Sequence, residues 1–174
     1  MRVTWNSFVS PIGALTLVES PDGPLVVEYA AVRGRGPNWA ERLRRGRPGV
    51  SIDVGPCPTL ERWLEAYFRG RPRPFPYPGH LGHYFKVDPA SETVWRVLSS
   101  IPLGETRSYE AIARQSGQHP RRTGQIISAN PISICIPCHR VVGKDGALVG
   151  YGGGLERKRW LLDHELRSCG VVLS

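Results

Sequence analysis

Ile134-Cys135-Ile136-Pro137-Cys138-His139-Arg140-Val141-Val142 sets a cysteine beside a histidine inside an apolar run. A thiol is a strong nucleophile only as thiolate, and a neighbouring base is one way to make it one. Pro137 fixes its own φ and biases Ile136 toward an extended conformation. The stretch therefore predicts Cys138 at the end of a rigid, buried segment. Adjacent side chains on an extended segment point opposite ways, which leaves a turn or a water to connect Cys138 with His139. The class of the protein turns on which chemistry this pair serves.

Several chemistries use such residues. Cys135-Ile136-Pro137-Cys138-His139 matches the C-x-x-C-H haem-attachment pattern. A haem so held wants a further axial ligand, and the sole methionine is Met1. A zinc site would need two more soft ligands; Cys57 and Cys169 stand alone, and His80 and His83 lie in a proline-rich stretch. No metal and no cofactor are expected. A redox C-x-x-C is not followed by a periodic helix that would point its N-terminus at the thiol. Cys135 reads as a small buried hydrophobe, whereas the His-Arg beside Cys138 favours a nucleophile. A Cys–His pair needs a third group to hold the imidazole tautomer. Glu165, set among Leu161, Leu162 and Leu166, is the best candidate, although a carboxylate near an apolar helix face more often points to solvent.

Composition narrows the setting. With 174 residues and 40% hydrophobic content the chain can build a real core, as one domain or two small ones. No apolar run approaches the roughly 20 residues that span a membrane. Met1–Asn6 lacks the apolar region and cleavage site of a signal peptide, so a cytoplasmic or nucleoid-associated protein with free cysteines is expected. Net charge is +8, and every basic residue except Lys86, Lys144 and Lys158 is arginine. Arginine suits bidentate phosphate contacts, which points to a polyanionic partner.

Along the chain, Arg2–Val9, Ala14–Glu19 and Leu25–Ala30 alternate between Gly/Pro clusters and read as an antiparallel meander. An Arg/Gly/Pro-rich loop is expected over Arg33–Pro48, with a short apolar stretch at Val50–Val54. Leu60, Trp63, Leu64, Tyr67 and Phe68 recur at helical spacing after an N-cap at Thr59, and Gly70 ends that helix. The alternate prolines of 70–80 make a semi-rigid connector, dividing the chain into 1–80 and 81–174. Beyond it, helices are predicted over Ser91–Ser99 (capped by Ser91), Ser108–Gln115, Arg121–Ala129 and Leu155–Leu166. The last should face inward with Trp160, Leu161, Leu162 and Leu166. The two short middle helices, joined by the tight Ser116–Pro120 turn, look like a DNA-docking helix-turn-helix.

Ile136–Val142 resembles the active-site signature of the O6-alkylguanine-DNA alkyltransferases (methylated-DNA–protein-cysteine methyltransferases). The resemblance extends through Gly104–Tyr109, Ala129-Asn130-Pro131, Gly150–Leu155 and Trp160–Glu165, in the family's order and near its spacing. It implies an α+β fold: a small N-terminal antiparallel sheet with a helix, ribonuclease H-like, and a helical C-terminal domain with a winged-helix-like helix-turn-helix. It implies an irreversible, single-turnover transfer of an alkyl group from O6 of guanine, flipped out of double-stranded DNA, to Cys138. His139 would take the thiol proton through a water, with Glu165 orienting the ring. Tyr109 would protonate or hydrogen-bond the leaving base. Tyr151 and the backbone of Gly152 and Gly153 would line the substrate pocket. Asn130 would tie the recognition helix to the active-site segment, and Arg140, placed with the substrate-binding residues, would tether that same substructure.

Counting back from Asn130 puts the family's intercalating arginine at Arg121, with Arg122 on phosphate and Thr123 and Gly124 at the DNA surface; the two arginines could be interchanged. Here the chain departs from the pattern. Pro120, Arg122, Thr123 and Gln125 stand where the family places small residues, and the preceding turn is shorter by about two residues. A monomer, able to load cooperatively on DNA, is expected. Two alternatives stay open: an inert damage sensor or helix-turn-helix regulator, and a cysteine hydrolase using Cys138, His139 and Glu165.

Overall fold

A computed structural model describes residues 1–30 and 38–171. The N-terminal meander forms as β1 (Arg2–Ser10), β2 (Gly13–Ser20) and β3 (Gly23–Tyr29). A fourth strand, β4 (Ser51–Val54), runs parallel to β1, giving the order β3-β2-β1-β4. Leu15, Leu17 and Val27 are wholly buried and turn one face of the sheet into core.

Part of the expected Arg33–Pro48 loop is a helix, α1 (Trp39–Gly46), whose Leu43 is fully buried; residues 33–37 of that loop lie outside the described residues. The next helix, α2 (Pro58–Phe68), starts one residue before the predicted cap. Cys57 is its N-cap, and its side chain makes no cap bond. Glu19 supplies the acceptor instead. At a register shift in β2 its Oε2 turns to the helix and accepts from the amides of Thr59 (3.1 Å) and Leu60 (3.2 Å). A distant carboxylate thus fills the place of a local cap.

After the proline-rich stretch come a single turn, α3 (Leu81–Tyr84), and α4 (Pro89–Ser99). Ser91 is not the cap of α4. Asp88 is, accepting from the Ser91 amide at 3.1 Å, with Pro89 as the first helical residue. The helix-turn-helix comprises α5 (Tyr109–Ser116) and α6 (Pro120–Ser128). Ser108 caps α5 by accepting from Ala111, and Gly117 ends it in the left-handed conformation, φ 66°. The Trp95 indole donates to Ile126 O at 3.0 Å and fastens α4 to α6. A two-stranded parallel pairing of β5 (Arg107–Ser108) with β6 (Val141–Val142) adjoins them.

The last helix, α7 (Leu155–Ser168), departs from its predicted facing. Its buried stripe is Lys158, Leu161 and Glu165, while Trp160, Leu162 and Leu166 are half-buried. One apolar cluster runs from Val3 through to Leu161. The sheet also reaches the cysteine segment directly. The Val27 amide donates to Pro131 O, and the Ser133 amide donates to Val27 O, both at 2.9 Å. No helix among the described residues is long and apolar enough to cross a membrane.

Candidate active site

The cysteine segment is not extended. Residues 131–136 form a chain of turns, in which the Cys135 amide donates to Ser133 O and the Ile136 amide to Ile132 O. Cys138–Arg140 is a single 3₁₀ turn. Ile134 carries φ 72°, the one positive φ among described non-glycine residues. That conformation costs a β-branched side chain about 1–2 kcal/mol and is held here by complete burial of the side chain.

Asn130 secures the turns from the end of α6. Its Oδ1 accepts from the Ile132 amide at 3.0 Å, and its Nδ2 donates to Ile136 O at 2.8 Å and to the Cys138 sulfur at 3.2 Å. Burial pushes the Cys138 thiol up, while the Asn130 donor and the Lys158 charge pull it back. Cys135 is buried as expected and has no part in this network.

His139 and Glu165 are both wholly buried. Their side chains meet at 2.6 Å, Nε2 to Oε1. Arg140 adds a fork, with Nε on Glu165 Oε2 at 2.8 Å and one terminal nitrogen on Oε1 at 3.0 Å, while its other terminal nitrogen holds Ile101 O. Burial alone would raise the Glu165 carboxyl; the His139 ring and the Arg140 fork outweigh it and carry the carboxyl down to about 2. Glu165 is therefore ionised and can only accept, so His139 donates from Nε2. That leaves Nδ1 as the basic nitrogen. It is buried with no hydrogen-bond partner among the described residues, and burial holds the ring below the usual histidine range, so it stays neutral and able to take a proton.

A cavity of about 330 Å³ opens over Cys138. Tyr109, Asn130, Ser133 and the loop Gly150–Gly153 line it. Arg140 does not, because its guanidinium is spent on Glu165 and Ile101. The Tyr109 hydroxyl donates to Gly150 O at 3.1 Å. Gly153 is a requirement of packing: a Cβ there would collide with the Tyr29 ring and stand 2.7 Å from that of Tyr151. Arg157 lies over the Tyr29 ring at 4.9 Å and donates to Gly153 O at 3.0 Å.

Lys158 escaped the sequence reading. It is wholly buried, and its ammonium donates to Val141 O, Val149 O and Gly150 O at 2.5, 2.8 and 3.3 Å. It thereby ties the glycine loop to β6. Its position one turn below Leu161 and two below Glu165 on α7 was a usable signal, since the three share one helix face.

On α6, Arg121, Arg122, Gln125 and Ser128 face outward. Arg122 is paired with Asp88 at 3.1 Å, whereas Arg121 makes no ion pair among the described residues. Thr123 is wholly buried and donates to His119 O, so it turns away from the outer face expected of it. Gly124 is half-buried.

Residues 89–167 match the family described as 6-O-methylguanine DNA methyltransferase, DNA binding domain. Over the full length the chain is 48% identical to the methylated-DNA–protein-cysteine methyltransferase of Mycolicibacterium paratuberculosis, covering 99% of this chain and 98% of that one. The chain belongs to the methylated-DNA–protein-cysteine methyltransferase family. The inducible member from Bacillus subtilis is 35% identical over 97% of this chain and 88% of its own. Among solved structures, the Mycobacterium tuberculosis OGT in complex with DNA superposes with a TM-score of 0.73 at 32% identity, covering 97% of this chain and 94% of that one. The methyltransferase fold is thus shared from end to end, sheet included.

Proposed function

We propose that this chain repairs DNA by direct reversal, moving an alkyl group from O6 of guanine in duplex DNA to Cys138 once and irreversibly. The observation that carries it is a buried Cys138–His139–Glu165 grouping that opens into a cavity beside a helix-turn-helix. The thiol proton leaves through a water to His139 Nδ1, and the imidazolium so formed is stabilised by Glu165. Sulfur attacks the alkyl carbon, the S–C bond forms as the C–O6 bond breaks, and the electrons pass to the guanine oxygen. Tyr109 and the amides of the Gly152–Gly153 loop are the donors for that oxygen. Arg121, exposed on α6 with no ion pair among the described residues, fills the stack vacated by the flipped base, and Arg122 holds phosphate.

In this reading residues 1–80 support the site, residues 81–174 carry DNA binding and the acceptor, and the protein works in the cytoplasm. Intact-mass measurement after incubation with duplex DNA carrying O6-methylguanine tests it. The wild type should gain one methyl group and Cys138→Ser none. An unmodified wild type would identify a damage sensor instead, and repeated turnover would identify a hydrolase.

A further inference from the structure

Glu165 has one more partner, and it comes from the far side of the molecule in sequence. The Tyr67 hydroxyl, on α2, donates to Glu165 Oε1 at 2.8 Å. Tyr67 is wholly buried, and its own position is fixed three times over. Its carbonyl lies 2.6 Å from His164 Nε2, its ring packs 5.2 Å from that of His164, and Trp63 stacks on it at 5.2 Å and 19°. Consecutive residues of α7, His164 and Glu165, thus grip the same tyrosine, one by its backbone and one by its hydroxyl.

We infer that Tyr67 is a positioning residue of the alkyl-transfer site: its hydroxyl fixes the Glu165 carboxylate so that Oε1 presents its remaining direction to His139. This rests on the relay under Proposed function. Oε1 accepts from Tyr67, from His139 and from Arg140, while Oε2 accepts, among the described residues, from Arg140 alone. The Arg140 fork sets the plane of the carboxylate. The Tyr67 hydroxyl adds a third donor on Oε1, from α2, beside His139 and Arg140. Because the carboxylate can only accept, the phenol must donate, and it brings a neutral donor there without a second charge. The charged or titratable groups around this carboxylate are His139 and Arg140 from the 3₁₀ turn, His164 on α7 and the phenol itself on α2. α2 precedes the proline-rich stretch, so the N-terminal portion completes the catalytic geometry.

The experiment is single-turnover alkyl transfer from O6-methylguanine in duplex DNA, followed with pH, for wild type, Tyr67→Phe, Glu165→Gln and the double variant. Tyr84→Phe is the control. It removes another tyrosine hydroxyl bond to a carboxylate, a partly buried one to Asp22 at 2.7 Å, away from the site. Tyr67→Phe should react roughly tenfold more slowly, as expected for loss of one hydrogen bond to a charged group. Its DNA affinity should hold, and Tyr84→Phe should react like wild type. In the Glu165→Gln background the Tyr67→Phe loss should vanish, because Tyr67 acts through that carboxylate. A wild-type rate for Tyr67→Phe, or the same fractional loss in both backgrounds, overturns the inference. If Tyr67→Phe does not fold, 3-fluorotyrosine placed at position 67 strengthens the donor without removing it. A displaced pH profile then supports the assignment, and an unmoved one overturns it. A wild type that gains no methyl group would sink the proposed function itself, a result distinct from either.

Discussion

Tyr29, the last residue of β3, shares a 2.6 Å hydroxyl–hydroxyl hydrogen bond with Tyr151, on the glycine loop that walls the pocket. The rings meet edge to face at 6.0 Å and 77°. The loop therefore takes its position from the N-terminal sheet, with Gly153 clamped between the two rings.

Gly153→Ala should be costly for that reason. Its methyl group would stand within 3 Å of both tyrosines, and one ring must move. Alkyl transfer should fall by about tenfold or more, the scale set by small misplacements near reacting atoms. Duplex binding measured by anisotropy should change little. A wild-type transfer rate would show that the loop gives without consequence.

Arg121 and Arg122 should separate by assay. Arg121→Ala should lower repair of duplex DNA by about tenfold or more while leaving reaction with the free alkylated base intact, since only the duplex requires flipping. Arg122→Ala should instead reduce the salt dependence of binding by about one counterion. Asp88→Asn keeps a cap acceptor for α4 while removing the charge that pairs with Arg122, and should tighten binding at low salt.

Lys158→Met should destabilise the fold by about 2–4 kcal/mol in urea titrations, because the buried Val141 carbonyl and the partly buried carbonyls of Val149 and Gly150 lose their donor. It should also slow carbamidomethylation of Cys138 by iodoacetamide, since the ammonium charge pulls the thiol down. Equal thiol reactivity in variant and wild type would detach Lys158 from the acceptor.

Acid should unfold the protein through Glu165. Its folded-state value of about 2 lies below its ordinary value of 4.5. The stabilisation is therefore fully present above the ordinary value and lost as pH falls from there toward 2. The linkage amounts to about 3 kcal/mol. Glu165→Gln should start less stable near neutrality and show a flatter pH dependence across that window by calorimetry.

The sequence resolved what depends on near neighbours. Ser108 and Gly117 bracket α5 as predicted because both caps act within one turn. Thr59 and Ser91 misled because the acceptors that start those helices are Glu19, forty residues away in chain, and Asp88, hidden ahead of a proline. The Arg/Gly/Pro composition of 33–48 masked α1, which buries little besides Leu43. At the site, Cys138, His139, Asn130 and the glycine loop were visible as blocks of residues. Glu165 is the candidate orienting acid, but the residues around it alone favour a solvent-facing carboxylate, since what makes a buried charge tolerable here is Arg140 in a different element and Tyr67, 98 residues earlier in the chain. Lys158 reads as a solvated helical lysine until three carbonyls converge on it. Thr123 reads as a surface polar residue until its hydroxyl bonds back one turn.

Ile134 sets a limit on redesign. Turn chemistry would place glycine or asparagine at its left-handed backbone, and either would relax the main chain. Glycine would vacate a filled part of the core, and asparagine would bury an amide among apolar neighbours, three residues from Pro137 and four from the acceptor. The position thus offers an engineer two ways to repair the backbone, each of which damages the interior beneath the alkyl acceptor.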